Sequence, residues 1–215
     1  MSGTSSNRIL TIYKSRTTIL DYMNELDYES NDYNVFSINE IDAMFVNSQL
    51  DMLLAHRADE TKKVYIKYYF SAKSTSRQIR PQTLDTIIED LYEIENMLTP
   101  KDTLVIIIDE EPNETIINKV MYIYNRSGIF IVIHNIKRLQ FNLLNHVLNP
   151  KVEILNSTEV EELKIKLNLK DTSLLPEISR FDPLALAIML RPKEVVKLTR
   201  KSSTALTNDY YRICI

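Results

Sequence analysis

The sequence predicts two domains in series: an α/β domain over the first two thirds of the chain and a small α+β domain over the last third. Two observations carry this. Between residues 64 and 133, apolar runs suited to strands alternate with amphipathic stretches suited to helices. Strand, helix, strand, helix, strand favours a partly parallel sheet, because helical crossovers join parallel neighbours. After Pro192 the pattern changes to two β-branched and aromatic runs, EVVKLTR at 194–200 and YYRICI at 210–215. The polar residues between them suit a long hairpin connection. A chain of 215 residues is long enough for two such cores, and 44% hydrophobic with 26% charged residues is a globular composition.

Composition also excludes. With only Gly3 and Gly128, neither a Walker loop nor a dinucleotide-binding loop can be built. No apolar run approaches the roughly 18 residues of a membrane span. The lone Cys214 has no disulfide partner and reads as a small buried hydrophobe in the last strand. Residues 1–150 hold 15 basic and 20 acidic residues, net −5; residues 151–215 hold 11 and 9, net +2. Neither half is basic enough to suggest a protein that binds DNA on its own. An intracellular protein is expected.

The elements follow in order. MSGTSSNR lacks the apolar core of a signal peptide, and residues 1–7 read as a disordered tail. Over 8–26, Ile9, Ile12, Ile19, Met23 and Leu26 recur at helical spacing, with Asn7 as the cap. Ser37 and Glu40 form a capping box for a helix expected to reach about Leu54. His56, beside charged loop residues, is assigned no role. Residues 64–70 alternate as a half-exposed strand whose Lys and Tyr face reads as surface cover rather than a nucleic-acid platform. The loop SAKSTSRQIRP carries Lys73, Arg77 and Arg80 and no acid, a candidate phosphate contact.

Pro81 opens a helix to about Leu98 that buries Leu84, Ile87, Ile88, Leu91, Ile94 and Leu98. TLVIII at 103–108 and IFIVI at 129–133 are continuous apolar runs, suited to strands covered on both faces. Between them, 113–125 is helical with Ile116, Ile117, Val120 and Ile123 inward. Residues 139–150 are ambiguous between strand and helix by periodicity. Residues 152–155 form a short strand, and Thr158 with Glu161 caps a helix to about Leu169. Pro176 and Pro183 are each expected to stop a helix and stiffen the chain.

One segment is more specific. From 175 to 215, Leu175, Pro176, Ile178, Asp182, Pro183 and Ala185 precede Val195, Val196, Lys197, Arg200, Ser202, Thr204, Ala205, Tyr211 and Arg212. This order and spacing resembles the assembly domain of the small subunit five shared by eukaryotic nuclear RNA polymerases, which has a counterpart in archaea. YKSRTTI at 13–19 resembles that family's first helix, and Leu139, Asn142, His146, Leu148 and Pro150 resemble its hinge. The resemblance implies a jaw domain with an endonuclease-like mixed sheet over 8–145 and an assembly domain over 146–215, with His146 a structural neighbour of the latter.

By the same resemblance the protein is a non-catalytic subunit without cofactor or metal. It would dock on the largest polymerase subunit through Pro176, Ile178, Asp182, Pro183, Arg200, Thr204, Ala205, Tyr211 and Arg212. Its jaw would lie near downstream duplex DNA, with Lys73, Arg77, Arg80 and Lys119 as the DNA-proximal candidates. Each docking residue also has a plainer reading as intradomain packing: Asp182 as a cap, Arg200 and Arg212 as surface charges on facing strands.

Family members usually have glycine at the positions of Phe181, Met189, Lys193 and Leu206, and proline at that of Lys201. Without those glycines the turns must differ or be held by other residues. These departures and the AT-rich composition suggest a divergent polymerase, of the kind a large cytoplasmic DNA virus encodes. The setting would then be host cytoplasm or virion, or the nucleus for a cellular member.

Two rival classes remain. A metal-dependent nuclease would use Asp109 or Glu111, but the next strand, IFIVIH, has no acid-x-Lys triplet, and His56, His134 and His146 are scattered. Where the family has a Thr-Pro-Ser-Ala-like segment this chain has Glu111, Pro112, Asn113 and Glu114, whose two glutamates would repel DNA phosphate. The other rival is a free-standing transcription adaptor built on the same fold.

Overall fold

In the computed structural model, which describes residues 2–70 and 79–215, the chain divides into two units, one ending at Asn142 and one spanning Leu143–Ile215. The first holds one four-stranded mixed sheet. β1 (Met52–Ala55) pairs antiparallel with β2 (Lys63–Tyr68), then β2, β3 (Thr103–Ile108) and β4 (Phe130–Asn135) pair parallel in that order. Every residue of β3 and β4 is buried, as continuous apolar runs must be in a sheet covered on both faces. β2 alternates, with Val64, Ile66 and Tyr68 buried. Tyr65 and Lys67 on its other face both donate to Asp51 Oδ2 at 3.1 Å, so that face belongs to the protein's own polar network.

Among the described residues four α-helices accompany this sheet: α1 (Ser2–Glu25), α2 (Ile38–Val46), α3 (Pro81–Ile88) and α4 (Glu114–Ser127). α1 begins at Ser2, so Asn7 is not its cap and residues 2–7 are not a tail; the Asn7 carbonyl accepts from Thr11 Oγ1 (2.8 Å) inside the helix. Packed turns around Ile12 and Ile19 nucleate the helix, and extending it forward is cheap. α2 has the predicted capping box, with Glu40 Oε2 accepting from the Ser37 N–H at 2.7 Å. It stops at Val46, however, and part of the stretch expected to carry it to Leu54 is β1. Ser48 turns the chain at φ 57°, after which Met52 and Leu54 are buried and Leu53 and Ala55 half-buried, a strand's period of two.

α3 starts at Pro81 as predicted, then runs into a π turn over Glu89–Ile94, where the Glu95 N–H reaches back five residues to the Asp90 carbonyl. The extra residue rotates the end of the helix. Leu84, Ile87 and Leu91 stay buried, but Ile94, expected on the same stripe, is 67% exposed. α4 is capped by Asn113, whose Oδ1 accepts from the Ile116 N–H (3.0 Å), and closed by Gly128 at φ 71°. Ile116, Val120 and Ile123 are buried as expected, Ile117 partly.

The second unit has its own four-stranded mixed sheet. β5 (Lys151–Ile154), β7 (Val195–Ser202), β8 (Leu206–Cys214) and β6 (Glu177–Ile178) lie side by side in that order, the last pair parallel and the others antiparallel. α5 (Ser157–Leu167) packs on one face, where Leu163, Leu175, Val195 and Ile213 form a core. α6 (Pro183–Ala187) and the buried turn after it accompany Val196, Leu198 and Cys214, which alternation assigns to the other face.

Three expectations change here. The cap of α5 is Asn156 with Glu159, two residues before the predicted pair, because Asn156 can accept from the Glu159 N–H (2.9 Å) while Glu159 accepts from its own (2.8 Å). Pro183 opens a helix rather than stopping one, at a position where its missing N–H costs nothing. The hairpin connection is short: β7 and β8 stay paired out to Ser202 opposite Leu206, leaving only Ser203, Thr204 and Ala205 as the turn.

Candidate assembly surface

Besides Asn168, the left-handed cap that ends α5, three residues of the second unit adopt the conformation that favours glycine: Met189 (φ 51°), Lys193 (φ 74°) and Leu206 (φ 60°). Each is held by neighbouring hydrogen bonds. Past α6, the Leu190 N–H reaches the Ala185 carbonyl (2.9 Å) and the Met189 N–H the Leu186 carbonyl (3.3 Å), the pair of bonds that closes a Schellman motif. Lys193 is third in the turn Arg191–Pro192–Lys193–Glu194, closed by Glu194 N–H to Arg191 carbonyl (3.1 Å), and its own N–H bonds the Cys214 carbonyl (2.8 Å). Leu206 ends the hairpin turn, where Ser202 Oγ accepts from the Thr204 and Ala205 N–H groups, both at 3.3 Å.

The nine predicted docking residues fall into two groups along the sheet. At one end, the Pro176 carbonyl accepts from the Ile213 N–H (2.9 Å), Ile178 is buried opposite Cys214, and Arg212 Nη1 donates to the Glu177 carbonyl (2.9 Å). Asp182 caps α6, accepting from the Leu184 N–H at 2.9 Å, beside the exposed Pro183. Tyr211 packs against the Leu163–Val195 core. At the other end, Thr204 and Ala205 form the exposed tip, and the Arg200 guanidinium lies 5.1 Å from the Tyr210 ring centroid. Arg200 and Arg212 do not face each other: Arg212 is opposite Val196 and Arg200 opposite Asn208, four residues apart along β7, or about 13 Å.

Sequence reading missed the residues that tie this sheet together. Lys197 Nζ lies 3.7 Å from both Glu153 and Asp209, spanning three strands, and Tyr210 is the platform for Arg200. Only the exact register, which the hairpin length sets, brings these groups together. Cys214 is buried as expected, and burial pushes its thiol up to about 11, away from a reactive thiolate.

Arg80 is exposed, Lys119 is committed to Asp85 at 2.8 Å, and Lys73 and Arg77 lie outside the described residues. The carboxylates weighed for a nuclease are also engaged. Asp109 receives both terminal nitrogens of Arg8 (2.5 and 2.7 Å), and Glu111 Oε1 accepts from Arg138 Nε (2.9 Å) and Asn135 Nδ2 (3.1 Å). Among the described residues no three His, Cys, Asp or Glu side chains cluster as metal ligands. His146 accepts from the Leu148 N–H through Nδ1 (3.3 Å), the turn-holding role of a structural residue.

The family RNA polymerase Rpb5, C-terminal domain, matches residues 141–214. DNA-directed RNA polymerase subunit Rpo5 of Archaeoglobus fulgidus is 40% identical over 77 residues, which is all of that protein and 36% of this chain. The chain belongs to the Rpb5 family. Rpo5 of Nitrosopumilus maritimus is likewise 40% identical over 79 residues, 94% of its length and 37% of this chain. The Arabidopsis thaliana protein named DNA-directed RNA polymerases IV and V subunit 5B is 23% identical over 205 residues, 93% of this chain and 88% of the plant protein. The Rpb5 match nearly coincides with the unit from Leu143 to Ile215. Of the four positions at which the resemblance leads one to expect glycine, Met189, Lys193 and Leu206 have positive φ and Phe181 does not, and neighbouring hydrogen bonds hold the three turns.

Proposed function

We propose that this chain is a non-catalytic subunit of a DNA-dependent RNA polymerase. Its second unit would dock on the largest subunit, and its first would form part of the lower jaw near incoming duplex. The observation that carries the reading is the 40% identity across the whole of archaeal Rpo5, over a stretch that closes its own core. On the docking side, the projecting β7–β8 tip offers Arg200 on Tyr210, Thr204 and Ala205, groups with few intradomain bonds and so available to a partner. Pro176, Ile178, Asp182 and Arg212 serve as supports, since each has a packing or hydrogen-bonding role inside the unit, and the exposed Pro183 opens α6 beside them.

Near DNA, the exposed Arg80 is the cation best able to meet a phosphate, while Glu110, Glu111 and Glu114 would keep their own loop at a distance. The engagement of Asp109 by Arg8 weighs against a nuclease. Among the described residues no helix is long and apolar enough to cross a membrane. The deciding experiment is purification of the tagged protein from its native source with mass spectrometry of the co-purifying chains. One copy per pair of large polymerase subunits is the expected result. Recovery alone, or only with unrelated factors, would reject the subunit in favour of the adaptor.

A further inference from the structure

The π turn Glu89–Ile94 borders a cleft of about 350 Å³ between α3 with its continuation and α4. Ile88 and Ile123 line its apolar part. One wall carries Asp85, Glu89 and Glu93, at i, i+4 and i+8; the other carries Lys119, Tyr122 and Arg126, at i, i+3 and i+7. These spacings place each set in a row along its helix, so opposite charges face each other across the cleft. Only the first rung is closed, by Lys119 Nζ to Asp85 Oδ1 at 2.8 Å. Further along, Arg126 Nη1 meets the Tyr122 hydroxyl (3.4 Å), and among the described residues no ion pair joins Arg126 to Glu89 or Glu93. Tyr122 is 55% exposed, and Ile94, turned out by the π turn, is 67% exposed.

We propose that this cleft docks an amphipathic helix of a partner protein, with an apolar edge on Ile88 and Ile123 and Lys or Arg side chains paired to Glu89 and Glu93. The charge pattern selects the partner. Three carboxylates, Asp85, Glu89 and Glu93, against Lys119 and Arg126 leave the lining with an excess of negative charge, which favours a cationic side chain over a phosphate. The helical form follows from the walls, which are helices and offer no backbone partners. An extended peptide would lay unpaired N–H and C=O groups on an apolar floor, whereas a helix satisfies its own.

The test is p-benzoylphenylalanine in place of Tyr122, in the full-length chain within its native source, with the cross-linked segment identified by mass spectrometry. Expected is one protein segment with basic residues three or four apart. Cross-linking should fall at least tenfold with Glu89→Lys plus Glu93→Lys, and return when the segment's basic residues are reversed to Glu. Both glutamates are exposed, so the double variant keeps its fold. Cross-links to nucleic acid, to a segment without a basic row, or of undiminished yield in the double variant would each overturn the proposal. The polymerase reading is decided separately, by which chains co-purify.

Discussion

Leu206, Lys193 and Met189 share a left-handed backbone, yet glycine should affect them differently. A side chain in that conformation costs about 1–2 kcal/mol, and glycine relieves this while loosening the unfolded chain by about 0.5–1 kcal/mol. Leu206 is 87% exposed and Lys193 is exposed, so neither loses burial on truncation. Leu206→Gly or Lys193→Gly should therefore raise stability by roughly 0.5–1 kcal/mol, seen as a higher denaturant midpoint with unchanged slope. Met189 is only 9% exposed, and losing its buried side chain forfeits about 1.5–3 kcal/mol. Burial wins there, and Met189→Gly should destabilise. If all three stabilised equally, strain alone would govern these turns. That glycine is missing was readable in the sequence; that the geometry persists was not, because it depends on partners such as the Cys214 carbonyl, 21 residues from Lys193.

Elements were readable where their signals are local. The Ser37–Glu40 box, Pro81, Asn113 and the apolar runs of β3 and β4 each announce themselves within a few residues. β1 was misread because four residues hold too few periods to separate strand from helix, and Ile94 because a π turn leaves no compositional mark. The tie between α1 and β3 is also beyond local reading, since Arg8 and Asp109 are 101 residues apart. Arg8 meets Asp109 with both terminal nitrogens and lies 4.4 Å from the Phe70 ring centroid, while the Asp109 side chain is only 13% exposed. Removing the cation would leave that carboxylate largely buried and unpaired. Arg8→Ala should cost about 2–3 kcal/mol, and Asp109→Asn added to it should recover much of the loss. Chemical denaturation of the four proteins of this cycle measures it; a purely additive result would mean that the pair contributes no coupling.

At the scale of the whole chain, the family was readable because its signature is dense in one short unit, whereas the docking surface was readable only as residue types. The structure separates the exposed tip, Thr204 and Ala205, from buried or bonded supports such as Ile178 and Arg212, a division that needs solvent exposure and register. The same unit closes its own sheet and core from residues after Leu143, and its archaeal relative is complete at that length. A unit with a separate core needs no other for its cooperativity. Calorimetry of the full chain should therefore resolve two transitions, one of which coincides with that of the isolated 143–215 fragment. A single transition for the full chain, with a fragment that shows none of its own, would mean that the second unit takes its stability from the first. The assembly function could not then be studied on the fragment.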